Sequence, residues 1–276
     1  MINEKVNLKD YYPMLDDDSY VLESYCPNNY SEIEINRKRK TIVILPGGAY
    51  AYCSDREAEP VALKLLAENI NVFVLKYKIA PFKYPHPLIG VYAALAYIRK
   101  NADKYNVDSN KIGVMGFSAG GHLAASVSCY YDEDYYASFL HEDKSNLVVN
   151  GCFLGYPVIL MDEFTHKETK ENITQKDAQL TDYFSIEKHV KDNFPKTFIW
   201  HTRFDNAVSV LNSINLAKSL TEKGILYELH VYPYGDHGQS VADECVYGIN
   251  NKEYIDNIQY NKQWVNDAIH FIKEYM

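Results

Sequence analysis

The sequence predicts an α/β fold in which a mostly parallel sheet is covered by helices on both faces. Three observations point there. Short, continuously apolar runs such as Thr41–Leu45 read as strands buried on both faces. Between them lie segments with apolar residues at helical spacing. The 276 residues show no internal repeat and no Pro/Gly/Ser-rich linker, so a single domain over 1–276 is expected.

Each element can be justified in order. Tyr20–Tyr25 and Ser31–Ile35, the latter with alternating apolar positions, read as β-type runs. After the basic turn Arg37–Lys40 comes the strand Thr41–Leu45. A helix follows, with Ala58, Val61, Ala62, Leu65 and Leu66 on one face and Pro60 in its first turn. Val72–Tyr77 is the next strand, and Leu88, Val91, Tyr92, Leu95 and Ile98 mark the next helix. Lys111–Met115 runs through a Gly-rich turn into a helix carrying Leu123 and Val127. Val148–Leu154 and Thr197–His201 are two more strands. Val210, Leu211, Ile214 and Ala217 give a helix stopped by Gly224. Leu226–Tyr232 is the last strand, and Trp264, Val265, Ala268, Ile269 and Ile272 line a closing helix.

One stretch breaks the rhythm. Of the 34 residues 161–194, 13 are charged, and little periodicity precedes Ser185. A connection this long reads as a solvated excursion or as a lid over a site. It is too short for a large cap domain.

Composition removes several classes of function. With 47% hydrophobic and 24% charged residues the chain is neither disordered nor collagenous. A net charge of −9 offers no electrostatic support for nucleic-acid binding. No apolar run approaches the length of a membrane span. The opening MINEKVNLKDYYP lacks the pattern of a secretory signal, and the five scattered cysteines form no CxxC. Reduced thiols in a cytoplasmic protein are therefore expected. There is no HExxH, no P-loop and no complete GxGxxG, so neither a metal nor a cofactor is expected.

The chemistry centres on Gly116-Phe-Ser118-Ala-Gly120, a G-x-S-x-G pentapeptide placed directly between an apolar strand and a helix. In that setting a sharp turn lifts the serine Oγ above the sheet edge, and small neighbours let backbone segments come together. A serine alone is a poor nucleophile and needs a base. The chain order for such a turn is Ser, acid, His, which removes His86. His122, four residues past the serine, is read as packing beneath it; His201 and His230 fall in strands and His270 on the closing helix. His237, in the loop Tyr234-Gly-Asp-His-Gly-Gln after the last strand, is the candidate base. Asp205, just past the strand ending at His201, is the candidate acid. Asp162, one strand early, and Asp236, adjacent to the histidine, are its rivals.

An acyl-transfer site also needs N–H groups aimed at a developing oxyanion. Ala119, after the serine and at a helix N-terminus, is one candidate donor. Gly48 and Ala49, in the loop Pro46-Gly-Gly-Ala-Tyr50 after the strand Thr41–Leu45, are the others.

With these residues in place, the sequence resembles the α/β-hydrolases, more narrowly the bacterial carboxylesterases described as acetyl-xylan-esterase-like or lipase/esterase enzymes. Two stretches carry the resemblance: Leu45-Pro-Gly-Gly-Ala-Tyr-Ala-Tyr-Cys-Ser-Asp-Arg-Glu-Ala58 and Gly116-Phe-Ser-Ala-Gly-Gly-His-Leu123. Two departures stand out. Ala49 replaces the last glycine of the usual loop, and Asp205-Asn-Ala-Val-Ser209 lacks a common Val-Pro. The resemblance implies hydrolysis of short acyl esters, acetyl groups on sugars or xylo-oligosaccharides included, by a Ser-His-Asp acyl-enzyme route. A small-amide hydrolase or peptidase, and a non-catalytic ligand-binding member of the fold, are the alternatives. The 25 tyrosines add a hint of substrate. Tyr50, Tyr52, Tyr77 and Tyr234 flank the candidate site, and hydroxyl-bearing rings suit a sugar face.

Overall fold

The computed structural model describes residues 1–15 and 19–276, the Ile249 side chain apart. Among the described residues the strands are β1 (Lys5–Asn7), β2 (Val21–Tyr25), β3 (Arg39–Leu45), β4 (Asn71–Lys76), β5 (Val107–Phe117), β6 (Cys152–Gly155), β7 (Thr197–Thr202) and β8 (Tyr227–Tyr232). They form one sheet in the order β1-β2-β4-β3-β5-β6-β7-β8. The pairs β1–β2 and β2–β4 are antiparallel, and the pairs from β4–β3 through β7–β8 are parallel. The helices are α1 (Glu59–Ala67), α2 (His86–Lys100), α3 (Ala119–Tyr130), α4 (Asp134–Leu140), α5 (Lys167–Thr174), α6 (Ala178–Tyr183), α7 (Leu211–Glu222), α8 (Glu244–Tyr247), α9 (Lys252–Ile258) and α10 (Gln263–Tyr275).

The continuous apolar runs make sense once both faces are seen to be covered. In β3, Val43 and Leu45 face a core layer shared with α2, α3 and α7, whereas Ile42 and Ile44 face a second layer shared with α1 and α10. Phe73 and Leu75 of β4 join the first layer, and Val72 and Val74 the second. The period-2 alternation therefore separates two apolar sides rather than an apolar from a polar one.

Two expectations change. Ser31–Ile35 is not a strand but a turn: the Ile33 and Glu34 amides bond back to the Tyr30 carbonyl, and Ile33 and Ile35 are exposed. The alternation there has no sheet neighbour to cover it, so the pattern alone could not make a strand. The charged stretch 161–194, in turn, is partly helical. α5 is capped by the His166 side chain and α6 by Asp177, whose carboxylate accepts from the Gln179 and Leu180 amides. Local capping makes helices in sequence too polar to show a strong apolar stripe. No helix of the described residues is long and apolar enough to cross a membrane.

Candidate active site

The parallel strands end on one edge, and there β3, β5, β7 and β8 each lead into a segment of the candidate site. β5 ends at Phe117, and Ser118 follows with φ 54° and ψ −119°, a conformation costing roughly 1–3 kcal/mol for a non-glycine residue. The surroundings hold it there. The Ser118 amide donates to the Gly155 carbonyl (3.0 Å), and its own carbonyl accepts from the His122 and Val158 amides. Gly116 and Gly120 are required: a Cβ on Gly116 would meet the Gly120 carbonyl, and one on Gly120 the Leu45 carbonyl.

β8 leads into the loop that carries His237, and β7 into the turn that carries Asp205. The structure brings the three side chains into one line. His237 Nε2 lies 2.8 Å from Ser118 Oγ, and His237 Nδ1 lies 2.7 Å from Asp205 Oδ2. The other carboxylate oxygen, Oδ1, accepts from the Ala207 and Val208 amides at 2.9 and 2.8 Å. His201 Nε2, bonded to the Val208 carbonyl, stands 3.4 Å from Asp205 Oδ2. Burial on its own would push the Asp205 carboxyl up. The hydrogen bonds from His201 and His237, the His237 charge and the Val208 amide outweigh it and hold the carboxyl well below the usual range. The rival acids stay apart from His237: Asp162 caps the Phe164 amide, and exposed Asp236 meets the Asn206 side chain.

The loop after β3 is bent by positive φ at Gly48 (123°), Ala49 (55°) and Tyr50 (58°). Gly48 is needed because a Cβ there would run into the Tyr52 backbone. Among the described residues the Gly48, Ala49 and Ala119 amides have no acceptor within the protein, and those of Gly48 and Ala49 belong to this loop beside Ser118. The loop is fixed from behind by a buried carboxyl. Glu57 accepts from the Gly47 amide at 2.7 Å and from the Tyr156 hydroxyl at 2.7 Å. Tyr156 itself accepts from the Ser240 amide, three residues past the histidine, and its ring lies against His237 with centroids 4.9 Å apart. One buried network thus ties together the loop after β3, the end of β6 and the loop that carries His237. Burial pushes the Glu57 carboxyl up, opposed by the bonds from Tyr156 and Gly47.

The four flanking tyrosines divide. Tyr52 is exposed and lines the cavity above Ser118. Tyr50 is buried with its hydroxyl 2.8 Å from His122 Nδ1, and Tyr77 is buried with its hydroxyl donating to the Pro46 carbonyl. Both buttress the loop from inside and do not reach the cavity. Tyr234 stands on the surface against Phe204, outside it. His122 packs beneath the serine as expected, and burial pushes its imidazole down to about 4.

The cavity encloses about 220 Å³ and is lined by Ser118, His237, Gly48, Ala49, Tyr52, Arg56, His166 and Glu168 among others. Sequence reasoning missed Glu57, Tyr156, His166 and Glu168. Tyr156 carries a usable signal, because it follows the end of β6 as Ser118 follows β5. Among the described residues no group of three His, Cys, Asp or Glu side chains is placed to hold a metal ion.

A mostly parallel sheet flanked on both faces, no large cap among the described residues, and a serine on a strand–turn–helix corner define an α/β-hydrolase. The chain belongs to the BD-FAE family, whose model matches residues 28–220. It is 38% identical over 225 residues to endo-1,4-beta-xylanase B of Butyrivibrio fibrisolvens, covering 79% of this chain and 35% of that protein. It is 30% identical over 211 residues to an acetylxylan esterase of Xylanibacter ruminicola, covering 74% of this chain and 42% of that one. The chain thus spans less than half the length of these two relatives. Among solved structures, an acetyl ester-xyloside bifunctional hydrolase from Caldicellulosiruptor lactoaceticus superposes with a TM-score of 0.81 at 30% identity, covering 98% of this chain and 95% of that one.

Proposed function

We propose that residues 1–276 act as one catalytic domain, a serine carboxylesterase that removes short acyl groups, acetyl above all, from carbohydrate esters. The observation that carries this reading is the unbroken line Ser118–His237–Asp205, with contacts of 2.8 and 2.7 Å, opening into the 220 Å³ cavity.

The chemistry follows from the geometry. His237 Nε2 takes the Ser118 proton as Oγ attacks the ester carbonyl, and Asp205, kept ionised, holds the tautomer and stabilises the imidazolium. The unoccupied amides of Gly48, Ala49 and Ala119 stabilise the tetrahedral oxyanion, each worth about 10²–10³ in rate. His237 then returns its proton to the leaving alcohol oxygen, and water attacks the acyl-enzyme by the same sequence in reverse. The cavity lies below the ~300–1,000 Å³ of sites that enclose drug-sized ligands, which supports a short acyl chain. The relatives named acetylxylan esterase and acetyl ester-xyloside hydrolase support a sugar as the alcohol. All five cysteines are free, which suits a reducing, cytoplasmic setting.

The test is a panel of p-nitrophenyl esters of rising chain length beside acetylated xylose, acetylated xylo-oligosaccharides and the anilide of acetic acid. The reading expects kcat/KM to peak at the acetyl ester, to be high on the acetylated sugars and to be at least about 10²-fold lower on the anilide. A maximum at chains beyond about eight carbons, where burial at ~0.8 kcal/mol per CH₂ dominates, contradicts it. So does faster turnover of the anilide.

A further inference from the structure

The catalytic line accounts for the floor of the cavity but not for its charged rim. His166 and Glu168 come from the stretch that broke the α/β rhythm, yet they line the same cavity as Ser118 and His237. α5, which they open, is tied to the oxyanion loop: Asn172 Nδ2 donates to the Ala49 carbonyl at 2.8 Å, and Ile173 is buried in the core. The rim is therefore registered to the site by a direct hydrogen bond.

The helix cap decides what His166 offers. Its Nδ1 accepts from the Thr169 amide (3.4 Å) and lies 2.9 Å from the Thr169 hydroxyl. An accepting Nδ1 places the proton on Nε2, which has no partner among the described residues. Burial and then the His237 charge pull the imidazole below its ordinary value, so near pH 7 it is a neutral N–H donor. Glu168, two residues on, is exposed, and its carboxylate has no hydrogen-bond or ion-pair partner among the described residues.

Position relative to the base assigns the side. Once Ser118 has attacked, His237 must hand a proton to the leaving oxygen, and His166 and Glu168 line the same cavity wall as His237 and Gly238, on the path by which the leaving alcohol departs. We infer that His166 and Glu168 are specificity residues for the leaving alcohol: the His166 Nε2–H donates to one sugar hydroxyl and the Glu168 carboxylate accepts from a neighbouring one. The exposed Tyr52 ring on the same cavity offers an apolar face to the pyranose carbons. A donor and an acceptor on one rim match adjacent hydroxyls and have nothing to bind in a simple alkyl ester. This inference rests on the carbohydrate-ester reading above and names the residues that read the sugar.

The test compares kcat/KM on a methyl mono-O-acetyl-xyloside with kcat/KM on ethyl acetate, in the parent chain, in His166→Ser and in Glu168→Ala. Serine keeps an acceptor for the α5 cap but cannot reach the cavity rim, and Glu168 is exposed, so the second variant stands if the first folds poorly. The expected result is that the xyloside-to-ethyl ratio falls about tenfold in either variant. If the parent prefers the xyloside and both variants keep that ratio within about twofold, the assignment of these residues is overturned while the carbohydrate reading survives. If the parent itself shows no preference for the xyloside, the carbohydrate reading fails, and this assignment with it.

Discussion

The floor and the rim of the cavity are built by opposite means. On the floor, Ser118 and Glu57 are buried, the Asp205 carboxylate is covered although its backbone is partly exposed, and each carboxylate has its partners: Asp205 takes two backbone amides besides His237, and Glu57 a backbone amide and a tyrosine hydroxyl. On the rim, Tyr52, Arg56 and Glu168 are exposed, and His166 is half-buried with one ring nitrogen committed to a helix cap. The contrast fits the roles proposed for the two sides. Groups that move protons between fixed atoms need low-dielectric, over-determined positions, because a misplacement of about 1 Å can cost 10²-fold in rate. Groups that select an alcohol have only to meet it and can stay in water.

The contrast can be broken most decisively at the acid. In Asp205→Asn the amide can no longer hold the correct imidazole tautomer, and kcat on p-nitrophenyl acetate should fall about 10⁴-fold with KM nearly unchanged. A fall of less than about tenfold would move the acid elsewhere.

The floor should also show itself in stability. His122 is held unprotonated, with its pKa at about 4 against an ordinary 6.5. A lowered basic pKa means that the unfolded chain takes up a proton before the folded one does. Its contribution is thus fully present above pH 6.5 and is lost as pH falls toward 4, by about 3 kcal/mol. Urea unfolding at pH 7 and pH 4 should show that loss in the parent and a loss smaller by about this amount in His122→Gln. Identical pH dependence in the two would remove the buried neutral imidazole from the account.

Glu57 sharpens the comparison from the other direction, because it touches the loop rather than the reacting atoms. In Glu57→Gln one acceptor becomes a donor facing either the Gly47 amide or the Tyr156 hydroxyl, so the loop after β3 should loosen. We expect kcat to fall about tenfold and KM to change by less than about threefold. A change confined to KM would make Glu57 a binding residue instead. Removing the Tyr52 ring should have the smallest effect, within about threefold on p-nitrophenyl acetate, because that ester has no sugar face to cover.

The same division explains what was legible in the sequence. That Ser118, Asp205 and His237 would meet could be read because strand ends are visible as the last residues of apolar runs, and the α/β topology fixes which ends meet. Gly48, Ala49 and Ala119 were expected as donors from small residues beside those ends, and their amides have no acceptor among the described residues. Glu57 was not legible: it stands ten residues past Gly47 in sequence, and only the folded loop shows that its carboxylate returns to the Gly47 amide. Tyr50 and Tyr77 were misplaced for a related reason. Proximity in sequence to the loop after β3 says nothing about which side of that loop a ring occupies, and both rings lie behind it. The rim residues were hidden because α5 is defined by a cap and a charged sequence, without the apolar stripe that marks α10. Ser31–Ile35 failed in the opposite sense, carrying a strand-like pattern without a sheet edge to accept it.

The central claim is that Ser118 is the nucleophile that takes the acyl group. Labelling with a fluorophosphonate followed by peptide mass analysis tests it directly. The account predicts a single adduct on Ser118, absent from Ser118→Ala and strongly slowed in His237→Gln, with esterase activity lost in parallel. An adduct on another side chain, or full ester turnover by Ser118→Ala, would contradict it.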